Sequence, residues 1–140
     1  MIASVEYLTE LHTKPIPRDT PARHLDKSTD KRELVQDFIV KVTLEEGNKE
    51  VVICVPKGYI TDGASIPKIF HRFYHPFTTE SYWAAVVHDY LYSDLYYKFS
   101  KEFADILFKE MIKHDNGSWF MQKTFYRAVR MNWKGGGWEQ

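Results

Sequence analysis

The chain has 140 residues, 44% of them apolar, with 19 Lys and Arg balanced by 19 Asp and Glu and a single cysteine. That length suits one ordinary core and argues against two large domains. Zero formal charge without a long Lys/Arg run leaves no stripe to track phosphates, so nucleic acid is not an expected partner.

One cysteine excludes an internal disulfide. No stretch reaches the roughly 20 apolar residues that cross a bilayer, and residues 1–6 lack the basic start and apolar run of a secretory signal. The expected site of synthesis is a reducing cytoplasm.

In chain order, residues 4–11 are predicted as a short strand. Pro15, Pro17 and Pro21, followed by the polar residues 26–31, predict a long loop. Residues 37–44 are rich in β-branched side chains, and Glu46-Gly47-Asn48 is a turn signal before residues 50–55, so the two runs are predicted to form a β-hairpin. Cys54 lies in the apolar run Val51-Val52-Ile53-Cys54-Val55 and is expected to be a buried strand residue. It lacks the neighbouring base or helix N-terminus that would make it a nucleophile. Pro56-Lys57-Gly58 ends the strand, and Gly63 would allow a sharp turn or close approach to a ligand. The aromatic stretch 70–77 is expected as a connection lying over the core.

Three helices complete the chain. Ala84, Ala85, Val87, Leu91 and Leu95 recur at helical spacing, with no Pro or Gly from Glu80 to Lys98. Ser100 is the expected cap of a second helix whose apolar stripe is Phe103, Ile106, Leu107 and Met111. A third is predicted from Ser118 to about Asn132, after Asp115-Asn116-Gly117, and the tail 134–140 is flexible by composition.

The chemistry concentrates in Thr61-Asp62-Gly63, His88-Asp89-Tyr90-Leu91-Tyr92 and Asp105. A histidine becomes a general base when a carboxylate fixes its tautomer and stabilises the imidazolium. Asp105 would do this for His88 if the first two helices pack antiparallel, and Tyr92, one turn beyond His88, could hold that carboxylate. Asp89 projects about 100° away around the helix. With Asp62 and the loop at Gly63 it could offer oxygen ligands to calcium, which would polarise an ester carbonyl while His88 activates water. The bland alternative is a buried structural His88–Asp105 pair with Asp89 at a surface. His71 and His75 have zinc-compatible spacing, but Pro76 and the missing third ligand favour ordinary surface histidines.

Val55-Pro56-Lys57-Gly58-Tyr59-Ile60-Thr61-Asp62-Gly63-Ala64-Ser65-Ile66-Pro67 and Ala84-Ala85-Val86-Val87-His88-Asp89-Tyr90-Leu91-Tyr92 resemble the DUF1353 family of phage and bacterial proteins. Ala104-Asp105-Ile106-Leu107-Phe108 and Ala128-Val129-Arg130 extend that resemblance over roughly the last three fifths of the chain. The order Thr61-Asp62, His88-Asp89-Tyr90-Leu91-Tyr92, Asp105-Ile106-Leu107-Phe108-Lys109-Glu110-Met111 and Tyr126-Arg127-Ala128-Val129-Arg130 is more distantly similar to small secreted bacterial and fungal phospholipases A2. That similarity implies His88 as base, Asp105 as its partner, and Asp89, Asp62 and the Gly63 carbonyl as calcium ligands, with phospholipid as substrate. Ala64 and Ala85 stand where two of the disulfide cysteines of those enzymes would fall, which fits a reducing compartment.

The expected architecture is a single α+β domain. Residues 1–58 form an antiparallel hairpin or small sheet with a long loop, packed on a three-helix phospholipase-A2-like unit over residues 59–133. The expected activity is calcium-dependent hydrolysis of a phospholipid acyl ester as a phage enters or lyses its host. The rival is a non-enzymatic phage tail or assembly protein, made in the host cytoplasm and built into the virion beside other phage structural proteins. A third possibility uses the metal site to grip a lipid headgroup without cleaving it.

Overall fold

The computed structural model of the chain describes residues 1–21, 30–62 and 80–131. The α+β expectation holds: antiparallel strands precede three helices. The strands are β1 (Ile2–Tyr7), β2 (Thr13–Ile16), β3 (Lys31–Leu34), β4 (Phe38–Leu44), β5 (Glu50–Val55) and β6 (Ile60–Thr61), and the helices are α1 (Tyr82–Ser93), α2 (Lys101–His114) and α3 (Trp119–Met131). They fall into two compact units, Met1–Asp62 and Gly63–Gln140. The aromatic stretch 70–77, Gly63 and the tail 134–140 lie outside the described residues.

The first unit holds two antiparallel sheets, ordered β1-β4-β5 and β2-β3-β6. The predicted hairpin is present, with Phe38 opposite Val55 and Val42 opposite Val51. A short 3-10 turn at Glu46–Asn48 joins its strands, with Gly47 and Asn48 at positive φ. Gly and Asn are the residues that adopt this backbone at least cost. Period-2 alternation puts Phe38, Val40, Val42, Ile53 and Val55 inside. Since Ile53 and Val55 take the inner face, Cys54 between them faces outward and is exposed, contrary to the expected burial. On β4's other face, Lys41 Nζ lies 3.4 Å from Glu6 and 3.3 Å from Glu50.

Three strands, β2, β3 and β6, lie where no strand is expected, and β1 is shifted. β2 contains Pro15, opposite Arg32, and tolerates it because β2 is an edge strand. β3, Lys-Arg-Glu-Leu, has no β-branched residue to announce it, yet pairs with both β2 and β6. β1 starts and ends earlier than residues 4–11: Thr9 Oγ1 accepts from Ile39 N at 2.8 Å and donates to Asp37 O at 3.0 Å, substituting a side chain for the ladder.

In the helical unit, α1 stops at Ser93, and residues 94–99 turn instead of continuing the helix to Lys98. Ser and Asp compete for backbone bonds, which disfavours extension through Ser93-Asp94. Ser100 caps α2 as expected, its side chain accepting from Phe103 N at 3.0 Å. The buried face of α2 is Ala104, Asp105, Leu107, Phe108, Met111 and Ile112, so Phe103 and Ile106 sit at its margin. Ser118 Oγ accepts from Met121 N at 3.0 Å and opens α3.

The helices run up, down and up. His88 meets Asp105 and Phe108, whereas Tyr92, later on α1, meets Lys101, earlier on α2. Likewise, Lys101 and Asp105 reach Val129 and Arg130, while Lys109 lies over Tyr126.

Gly117 makes the sharp α2–α3 reversal possible. Its N–H donates to Ile112 O at 2.8 Å, and a Cβ there would meet the Ile112 side chain and lie 2.9 Å from its carbonyl oxygen. Gly117→Ala is therefore expected to destabilise the fold by roughly 1–3 kcal/mol, read as a lower urea midpoint with an unchanged m-value.

Candidate functional site

α1 is buried nearly all round, with Ala84, Ala85, Val86, Val87 and Leu91 fully enclosed, so the polar pair His88-Asp89 is carried into an apolar setting. His88 lies against Tyr92 and Phe108, with ring centroids 4.2 and 5.0 Å away. Across the antiparallel α1–α2 contact, Asp105 is fully buried, and its Oδ1 lies 2.6 Å from His88 Nε2. The proposed dyad is thus brought together. Tyr92 OH reaches the same oxygen at 3.5 Å, the long end of hydrogen-bonding range.

The second oxygen of Asp105 has two partners outside the expected site residues. Lys101 Nζ donates to Oδ2 at 2.7 Å and to Val129 O at 2.7 Å, and Arg130 Nη1 donates to Oδ2 at 3.0 Å. Lys101 precedes Asp105 by one helical turn, a spacing legible in the sequence. Arg130 comes from α3, 25 residues away; it stands in the Ala128-Val129-Arg130 motif, which by itself assigns it no partner.

Burial works against ionising Asp105, but hydrogen bonds from His88 and Lys101 outweigh it and hold the carboxyl below its usual value. Burial lowers His88, and the Lys101 charge adds to that; Asp105 and Asp89 oppose it without reversing the direction. The pair at neutral pH is therefore a neutral imidazole and a carboxylate. A carboxylate only accepts, so the proton sits on His88 Nε2 and the basic nitrogen is Nδ1. Burial likewise raises Tyr92, leaving a protonated phenol as donor.

Of the three residues expected at a metal, Asp89 is buried beside His88, and Asp62 is buried in the first unit directly after β6. Gly63 lies outside the described residues. Among the described residues no group of three or more His, Cys, Asp or Glu side chains could hold a metal ion. No helix among them is long and apolar enough to cross a membrane.

Two stability measurements probe this cluster. Asp105→Asn keeps the shape but leaves Lys101 and Arg130 without their counter-charge, and is expected to cost about 3–5 kcal/mol. Arg130→Gln removes a cation that is 38% exposed and should cost about 1 kcal/mol or less. Chemical denaturation of both variants reads the difference.

The pH dependence follows from linkage. His88 has a lower pKa folded than unfolded, so the unfolded chain takes up the proton first. Stability should then decline as pH falls below about 6.5. Asp105, also lowered, adds a loss below about 3.9. Urea midpoints at pH 7 and 5.5 should fall further for the parent than for His88→Gln.

Comparison with known proteins adds one match: a family described as a protein of unknown function, DUF1353, covers residues 33–129. No curated protein and no solved structure matches. The match includes the dyad, Lys101 and most of α3, and it reaches back to β3, well before the resemblance noted from residue 55 onward. The chain belongs to the DUF1353 family.

Proposed function

We propose that this protein is a phospholipase-A2-like esterase that hydrolyses a phospholipid acyl ester with His88 as general base. The observation that carries the reading is the 2.6 Å contact between buried His88 Nε2 and Asp105 Oδ1. With Nε2–H fixed on Asp105, Nδ1 takes a proton from water as the oxygen attacks the ester carbonyl. The acyl C–O bond then breaks, and the imidazolium returns the proton to the departing alkoxide, giving a fatty acid and a lysophospholipid. Asp105 orients the ring and stabilises the imidazolium, a role electrostatically equivalent to the orienting carboxylate of other His–Asp pairs.

Calcium belongs to the proposal through Asp89, a buried carboxylate one residue from the base. Oxygen ligands of this kind suit the ion, which would polarise the ester carbonyl.

A second reading is favoured by Lys101 and Arg130. Two cations on the carboxylate reduce what it can offer an imidazolium, and His88 is almost fully buried. In that reading the cluster is a helix clamp in a non-enzymatic phage tail or assembly protein.

Release of labelled fatty acid from phospholipid vesicles, with and without calcium, separates the two. The parent should turn over and His88→Ala should lose turnover while still folding; equal rates in both would remove His88 from the chemistry. The acid limb of kcat/KM should lie below pH 6.5, because only the neutral imidazole is a base and burial lowers its pKa. Calorimetric calcium binding should be lost in Asp89→Asn.

A further inference from the structure

The outer face of α3 combines exposed apolar side chains with cations. The exposed residues of this helix are Trp119, Phe120, Lys123, Arg127 and Met131. At about 100° per residue they span a continuous arc of roughly 120°, opposite the buried Met121, Phe125 and Val129. The arc contains only large apolar side chains and cations, and α3 carries no Asp or Glu.

Trp119, Phe120 and Met131 are 68%, 56% and 71% exposed. Single exposed apolar residues are ordinary, but Trp119 and Phe120 at the start of α3 and Met131 at its end share one arc with Lys123 and Arg127 between them. Lys123 Nζ stands 4.4 Å over the Trp119 ring, which sets a cation directly against the aromatic surface.

We propose that this face docks the protein on an anionic lipid surface, with Trp119, Phe120 and Met131 entering the interfacial region and Lys123 and Arg127 contacting headgroup phosphates. Aromatic and aliphatic side chains interleaved with Lys and Arg on one amphipathic helix are the composition that such an interface selects. Charge complementarity decides the occupant. A second copy related by two-fold symmetry would bring four cations, Lys123 and Arg127 of each, into one contact with no acid on α3 to receive them. The docking goes beyond the hydrolytic reading and requires no turnover.

The test is cosedimentation of the full chain with vesicles of phosphatidylcholine alone or mixed with phosphatidylglycerol. The parent should prefer the anionic vesicles and lose affinity as salt rises. Each basic residue near such a surface is worth about fivefold, so Lys123→Glu with Arg127→Glu should weaken binding by at least about thirtyfold. Trp119→Ser with Phe120→Ser should also weaken it, and both pairs should unfold at the parent's temperature because the replaced side chains are exposed. His88→Ala should bind like the parent, so loss of hydrolysis and loss of docking are read separately. No binding to anionic vesicles, or undiminished binding by both double variants, overturns the proposal. Self-association abolished by Trp119→Ser would also overturn it, assigning the face to a second copy.

Discussion

The helical unit depends on one buried carboxylate. Asp105, at the middle of α2, takes His88 from α1 on one oxygen and Lys101 and Arg130 on the other. An unpartnered carboxylate at zero exposure would be too costly to keep ionised. These partners offset that cost and give the three-helix packing a register that apolar contacts alone would leave loose. Leu107, Phe108, Met111 and Ile112 on the same helix supply the non-directional burial. Asp105 supplies direction.

The same arrangement sets the chemistry that the site can offer. A carboxylate held ionised against its burial by hydrogen bonds from His88 and Lys101 imposes the Nε2–H tautomer on His88, and burial keeps the ring neutral. Orientation and protonation state then meet what the proposed general base requires. The opposing effect comes from Lys101 and Arg130: by taking up part of the Asp105 charge, they weaken its support for a protonated ring. Geometry favours catalysis and charge restrains it, so a structural clamp and an esterase can be built from identical contacts.

Legibility in the sequence followed the range of the interactions. The β4–β5 hairpin and the Ser100 cap were readable because alternation, turn residues and N-cap chemistry are local. Tyr92 and His88 were readable as partners for Asp105 because helical spacing places them on one face. Arg130 was not, since its contact exists only after α3 folds back along α2. β2 and β3 were missed because Pro15 and the charged Lys-Arg-Glu of β3 oppose strand propensity, and β6 because two residues, Ile60 and Thr61, are too short to show alternation; pairing overrode both. Cys54 was misplaced by composition: an apolar run suggested burial on both faces, whereas the sheet buries alternate residues.

The most direct test of the account is the nitrogen-15 and proton spectrum of the His88 ring followed through a pH titration. The Asp105 contact requires the Nε2–H tautomer at neutral pH and a midpoint below 6.5. A proton on Nδ1, or a midpoint above that of an ordinary histidine, would contradict the carboxylate-fixed neutral base on which both the stability and the catalytic argument rest.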